Sequence, residues 1–204
     1  MTQNADIILA SGSAIRRQIL QAVGVLFNVV RPDVDEGKIK EEALERGEDL
    51  NELAMMLAEA KCLNVSAQRA RSAGALVIGA DQIMEFDGRA YDKPADMDQA
   101  RSRLRALQGK SHTLINAVAV ARKGEIIWRN LDRPKLFMRA MTEKEIDAYL
   151  EAAGADILSS VGAYQVEKLG ARLFDRIEGD YFAILGLSLF PLLAFLRREG
   201  ALVY

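Results

Sequence analysis

The sequence predicts an α/β protein in which helices flank a mixed central β-sheet. Two observations carry that expectation. Short apolar, β-branched runs alternate with segments of helical spacing, the pattern of strands joined by helical crossovers. Two of those runs, AVAVAR and EIIWRN, are separated only by Lys123-Gly124, a tight hairpin turn, so part of the sheet is antiparallel.

In chain order, DIILA (6–10) is the first strand. Ser13 then caps a helix that runs over Arg16 to Val23, with Gly24 just past its end. FNVVRP (27–32) is a second strand, followed by an acidic loop holding Asp33, Asp35 and Glu36. Asp49 with Glu52 forms a capping-box pattern before LNELAMMLAEAKCLNVSAQRA, a long helix closed by Gly74. ALVIGAD (75–81) is a strand that delivers Asp81 at its C-terminal end, and a turn follows at Asp87-Gly88. Asp96 with Gln99 opens the helix RSRLRAL, and Thr142 with Glu145 opens EIDAYLEAA, stopped by Gly154. TLINAVAVAR, EIIWRN and PKLFMRAM supply the remaining strands. FAILGLSLFPLLAFL (182–196) reads as a buried strand turning into a core helix, and is too short and interrupted to span a bilayer.

The totals narrow the function. At 204 residues, half of them hydrophobic and 27% charged, the chain can bury a substantial core as one domain or as two lobes sharing a core. A formal net charge of −2 gives no basic excess, which argues against nucleic acid as a partner. The single cysteine, Cys62, forms no internal disulfide, and MTQNADIILA has neither the basic nor the long apolar region of a signal peptide. A cytoplasmic protein with no membrane partner is expected.

Three stretches carry chemistry. LASGSAIRR (9–17) ends a strand in Ser11 and Ser13 at a helix N-terminus, where unpaired N–H groups and the helix dipole favour phosphate, and Arg16 and Arg17 add charge-assisted donors. Its bland alternative is an ordinary serine cap beside two solvated arginines. ALVIGADQIMEFDGRAYDKP sets Asp81 and Lys93 where an acid and an ammonium could hold a metal and a polyphosphate; a surface hairpin with scattered charges is the alternative. PDVDEGK clusters hard oxygens of the kind Mg²⁺ takes, or is simply a solvated loop. His112 has no second histidine to complete a metal cluster and reads as a structural hydrogen-bonding residue. Cys62 has no base partner, and no GxGxxG or GxxxxGK[ST] pattern occurs.

Taken together and in order, LASGSAIRRQIL, VDE, LAEAKC, ADQ with DGRAYDKP, LQGKSHTLINAVAV and YQVEKLGA with IEGDYFAILGLSL resemble the Maf family of nucleoside triphosphate pyrophosphatases nearly end to end. The resemblance implies a single Maf-like domain over 1–204, ITPase-like, with two lobes and a cleft between them. It implies cleavage of a nucleoside triphosphate between its α and β phosphates, with a divalent metal cation (Mg²⁺, Mn²⁺ or Co²⁺). By position, Ser11, Ser13 and Arg16 fall on the phosphate-gripping loop. Glu36, Lys61, Asp81 and Lys93 fall on the catalytic cluster, with Asp81 at the position assigned as catalytic acid or base and Glu36 and Asp81 as candidate metal carboxylates; base and metal ligand both require an ionised Asp81 near water, and the sequence does not choose between them. The resemblance also allows a homodimer, for which the sequence offers no stripe of its own.

Several positions depart from the family pattern. Ala14 replaces the proline of the SP step. Ile15, Gln82 and Glu167 stand where the branch acting on dTTP and UTP has arginine, threonine and glutamine, and they resemble the branch associated with 7-methyl-GTP. A carboxylate at 167 suits guanine, whose Watson–Crick edge presents two adjacent N–H groups, and would repel the flanking carbonyls of uracil or thymine. Ser188 replaces a common proline and reads as a structural variation, and Ala183 replaces a frequent asparagine. The rival readings are a broad dTTP/UTP-type pyrophosphatase, a nucleotide-binding regulator of septum formation or cell division with little turnover, and a phosphatase acting on monoesters.

Overall fold

The computed structural model describes residues 6–68 and 74–203. In chain order the elements are β1 (Ile7–Ala10), α1 (Ala14–Ala22), β2 (Asn28–Val30), α2 (Glu36–Arg46), α3 (Leu50–Gln68), β3 (Leu76–Phe86) and β4 (Arg89–Tyr91). There follow α4 (Met97–Leu107), β5 (Ser111–Arg122), β6 (Glu125–Asp132), β7 (Lys135–Met138) and α5 (Glu143–Ala153). After 3-10 turns at Gly154–Ser159 and Leu169–Leu173 come β8 (Phe174–Glu178), α6 (Tyr181–Ile184) and α7 (Leu189–Arg198).

The strands form one mixed sheet in the order β2-β1-β3-β5-β7-β8, with β4 paired to β3 and β6 to β5. β1 runs parallel to both β2 and β3, with Ala10 opposite Gly79 as the last β1–β3 pair. The β3–β4, β5–β6, β5–β7 and β7–β8 pairs are antiparallel, so the mixed sheet expected from the alternation and the Lys123-Gly124 hairpin is present. That hairpin turns through Lys123 and Gly124, both with positive φ (56° and 82°), which matches the right-handed twist of its strands. The chain divides into two compact units. One comprises Met1–Gln82, Asn116–Asp132 and Gly186–Tyr204; the other comprises Ile83–Ile115 and Arg133–Leu185.

The helix starts follow their side chains. Ser13, Asp35, Asp96 and Thr142 each accept a backbone N–H from the third residue on, and Thr142 with Glu145 closes a full capping box. At α4 the expected reciprocal partner behaves differently: Gln99 Oε1 accepts from Ala95 N instead.

Three local expectations are corrected. The acidic segment after β2 is a loop only as far as Asp35, which caps α2; Glu36 is already the first residue of that helix. Only Ala43 of that helix is buried, so it has almost no apolar stripe to read. Asp81 lies within β3 rather than at its end, because the strand continues to Phe86 and turns back as β4 through Asp87 and Gly88. The run FAI belongs to α6, capped by Asp180, not to a strand; four apolar residues do not distinguish the two. The helix expected to close at Gly74 is described as far as Gln68; its expected last residues lie outside the described ones.

In the first unit, β1 and residues 76–81 of β3 are buried, and α3 packs against them through Leu57, Ala58, Cys62 and Val65. The approach is close enough to require Gly79: a Cβ there would strike Ala58 O and lie 2.8 Å from Cys62 N. This contact sets the height of α3 along β3 and hence where Lys61 meets the strand. Burial pushes the Cys62 thiol up to about 12, with the Glu59 carboxylate adding to the effect, which keeps it inert.

The second unit closes over Met84, Phe86, Leu104, Leu107, Leu114, Leu136, Ile146 and Leu150. Each such side chain contributes roughly 1.5–3 kcal/mol through removal from water. Within that core His112, 2% exposed, hydrogen-bonds Tyr164 Oη through Nε2 at 2.5 Å, and its Nδ1 has no partner among the described residues. The structural role expected for His112 is what the fold uses.

Burial lowers the His112 pKa from 6.5 to about 4. Its neutral form therefore contributes stability that is complete above about pH 6.5 and is lost as pH falls towards 4. Replacing His112 with Gln should remove up to about 3 kcal/mol of the acid dependence of unfolding in that window. Urea midpoints measured every half unit of pH check this, and unchanged slopes in the variant would sink it.

Candidate functional site

The first unit brings six of the expected residues into one region. At the end of β1, Ser11 is buried, and its Oγ accepts from Ser13 N (3.2 Å) and Arg16 Nη1 (3.3 Å). Ser13 caps α1, leaving the first N–H groups of that helix at the mouth of the loop. Gly12 between the serines is exposed, and the Arg31 side chain lies alongside it, with Nε 3.5 Å from where a Cβ would stand. Arg31 is a cation that sequence reasoning missed. Its only signal was an arginine at the exit of a strand, in VVRP.

Arg16 is placed differently from a free phosphate grip. Its Nε donates to Gly186 O (2.7 Å) and its Nη1 to Ala80 O (2.8 Å). The guanidinium is thus braced by the backbone. Desolvation lowers its pKa, and the carboxylates of Asp81 and Glu36 oppose that shift, so Arg16 lies within their electrostatic reach.

The acid–base core lies on three elements. Lys61 projects from α3, Asp81 from β3 and Glu36 from the first turn of α2. Lys61 Nζ is 2.5 Å from Asp81 Oδ1 and 2.8 Å from Glu36 Oε1, so one ammonium joins two carboxylates. Lys61 and Asp81 are each only 8% exposed, whereas the Glu36 side chain is 49% exposed. The inner pair is therefore fixed and poorly screened, and the outer carboxylate faces solvent.

Among the described residues, no group of three or more His, Cys, Asp or Glu side chains could hold a metal. The donor set is two carboxylates that converge on Lys61 Nζ, which holds Oε1 of Glu36 and Oδ1 of Asp81 and not their second oxygens. That fits a hard cation such as Mg²⁺, which takes one or two carboxylates and completes its shell with water and substrate phosphate, and it does not fit a closed protein cage.

Ile15 is half-buried on α1, and Gln82 follows Asp81 on β3. Lys93 and Glu167 belong to the second unit. Lys93 is exposed, between Asp92, whose carbonyl accepts from Arg103 Nη1 at 3.0 Å, and the buried Pro94. Glu167 is exposed, and its carboxylate adds to the burial that raises the Tyr149 phenol to about 12 and the Tyr181 phenol upwards. Two neutral residues, both fully buried, are also hydrogen-bonded near Asp81: Asn116, which sequence reasoning missed, and Ser188, which it read only as a structural variation.

The description Maf-like protein matches residues 6–199 of the chain. A nucleoside triphosphate pyrophosphatase of Hyphomonas neptunium is 49% identical over 196 residues, 96% of this chain and 97% of that one. A 7-methyl-GTP pyrophosphatase of Mesorhizobium japonicum is 43% identical over 196 residues, again 96% and 97% of the two chains. A crystal structure of a nucleoside-triphosphatase, dITP/XTP pyrophosphatase, from Mycobacterium abscessus covers 76% of this chain at 16% identity with a TM-score of 0.34, too low to bear on the fold. The match across almost the whole chain and the identity to full-length relatives carry one conclusion: the chain belongs to the Maf-like protein family.

Proposed function

We propose that this protein hydrolyses nucleoside triphosphates at the α–β phosphoanhydride, with water as co-substrate and nucleoside monophosphate and pyrophosphate as products. The observation that carries the reading is Lys61 held between Asp81 and Glu36, beside the braced Arg16 and the N-terminus of α1. Relatives of the same length named nucleoside triphosphate pyrophosphatase support it.

In this mechanism Ser11, Ser13 and the α1 N–H groups hold the phosphate chain, with Arg16 and Arg31 offsetting its charge. Lys61 holds one oxygen of Asp81, which fixes the carboxylate plane so that the other oxygen accepts the proton of the attacking water. Lys93 supplies a further positive charge to the triphosphate. A divalent cation held by Glu36 and Asp81 would neutralise phosphate charge and polarise a phosphoryl oxygen.

The finer part of the proposal is a preference for 7-methyl-GTP, with Ile15, Gln82 and Glu167 at the base. The Glu167 carboxylate accepts two guanine N–H groups and favours the positive charge that N7 methylation places on the ring. Relatives named 7-methyl-GTP pyrophosphatase at 43% and 42% identity support it. A bidentate contact of this kind discriminates by about 1–3 kcal/mol.

The test is a nucleotide panel with Mg²⁺ or Mn²⁺ and separate detection of orthophosphate and pyrophosphate. Pyrophosphate is expected as the first product, with 7-methyl-GTP favoured over dTTP by about tenfold in kcat/KM and that ratio reduced in Glu167→Gln. Orthophosphate as the first product would overturn the reaction. Tight nucleotide binding with negligible turnover would instead favour a regulatory role, and preference for dTTP would overturn only the base assignment.

A further inference from the structure

The backbone around Asp81 is held by side chains rather than by a neighbouring strand alone, and those side chains converge on one turn. The β1 ladder ends at Ala10 opposite Gly79. The carbonyl of the next residue, Ala80, accepts from Arg16 Nη1 at 2.8 Å. The carbonyl of Asp81 itself accepts from Asn116 Nδ2 at 3.2 Å. The carbonyls on both sides of the Asp81 Cα are thus pinned, one by a guanidinium and one by an amide.

Both pins are anchored in Gly186–Ser188. Arg16 Nε donates to Gly186 O at 2.7 Å, and Ser188 Oγ donates to Asn116 Oδ1 at 2.8 Å. Asn116 and Ser188 are 0% exposed, so neither group can exchange its partner for bulk water without opening the fold. The direction of the relay is set by chemistry. The Asp81 carbonyl can only accept, so it takes an Asn116 Nδ2–H, which leaves Oδ1 to accept the proton of the Ser188 hydroxyl.

We propose that Asn116 and Ser188 are positioning residues that hold the Asp81 backbone, and through it the carboxylate, in register with Lys61. The inference rests on the reading above, in which Asp81 is the group that receives the proton of water. Ser188 is then a working part of the site, and not only a structural substitute for the proline of the family pattern. Rotation of the Asn116 amide would turn its oxygen on the Asp81 carbonyl, a repulsion relieved only by shifting β3. Displacements of this size matter because a misplacement of about 1 Å at a reacting group costs as much as roughly 100-fold in rate.

The test is steady-state kinetics of Ser188→Ala, Asn116→Ala, the double variant and Ser188→Thr, with pyrophosphate release as readout and a thermal melt on each. Ser188→Ala is expected to lower kcat about tenfold and leave KM within about twofold, since substrate contacts are untouched. Ser188→Thr keeps the hydroxyl and restores kcat. The double variant should be no slower than Asn116→Ala, because a hydroxyl with no amide to orient has nothing to contribute.

Wild-type kcat in Ser188→Ala, or losses that multiply in the double variant, overturns the proposal. Where Ser188→Ala does not fold, Asn116→Asp serves, as it preserves shape but has no N–H for the Asp81 carbonyl; wild-type kcat there overturns it equally. Asp81→Asn separates the two levels of argument. If it is as active as wild type, the reading of Asp81 fails; if it is inactive while Ser188→Ala is not impaired, only the relay fails.

Discussion

Asp81→Asn is expected to abolish turnover almost completely, with kcat lower by roughly 10²–10⁴-fold, the range in which a positioned general base contributes. The substitution changes one atom and one charge. An asparagine oxygen can still accept from Lys61 Nζ, so the geometry at β3 is retained while the capacity to take a proton is lost. At saturating Mg²⁺ KM should move little, because the groups assigned to the phosphates and the base lie elsewhere, on the Ser11–Ser13 loop and at Glu167; since Asp81 is also assigned to the cation, the variant should need more Mg²⁺ to reach saturation. Stability should fall by only about 1–3 kcal/mol, since Lys61 keeps Glu36 at 2.8 Å and is not left as a lone buried charge. Single-turnover measurement of pyrophosphate formation decides the matter. Activity within tenfold of wild type would assign the proton to another group.

How far this site could be read from the chain depends on what kind of interaction made it. Ser13, Asp96 and Thr142 were legible because a cap is a local device: the side chain and the N–H it satisfies are three residues apart. The Lys123-Gly124 hairpin was legible for the same reason. Asp81 and Glu36 were visible as charged residues in suggestive places, whereas Lys61 entered only with the family resemblance, which joined the three. That one ammonium bridges both carboxylates depends on α3 lying flat on β3 at Gly79, a contact between segments with no pattern in common. Helix α2 escaped because it buries almost nothing and so lacks the periodicity that betrays a helix. Asn116 and Ser188 escaped for the opposite reason. They are uncharged, fully buried and 72 residues apart; Asn116 looks like filler in an apolar run and Ser188 like a structural replacement for proline until the fold brings them together.

Lys61→Met should cost more stability than any other single substitution in the cluster, even though methionine preserves most of the buried stem. The loss arises from what remains. Glu36 Oε1 and Asp81 Oδ1 both lie within 2.8 Å of the deleted nitrogen, so two carboxylates are left facing each other with no cation between them. At a separation near 5 Å and an effective dielectric of about 20 the repulsion is roughly 3 kcal/mol, and Asp81 has little access to water with which to screen it. A total destabilisation of about 3–5 kcal/mol is therefore expected at neutral pH, the range for breaking a buried pair from one side. Adding Asp81→Asn to Lys61→Met should restore part of the lost stability, although each change alone destabilises. Urea midpoints for the four proteins at pH 7.5 test both statements. A Lys61→Met deficit below about 1 kcal/mol, or one that grows when Asp81→Asn is added, would mean that the lysine is packed against the carboxylates without compensating them.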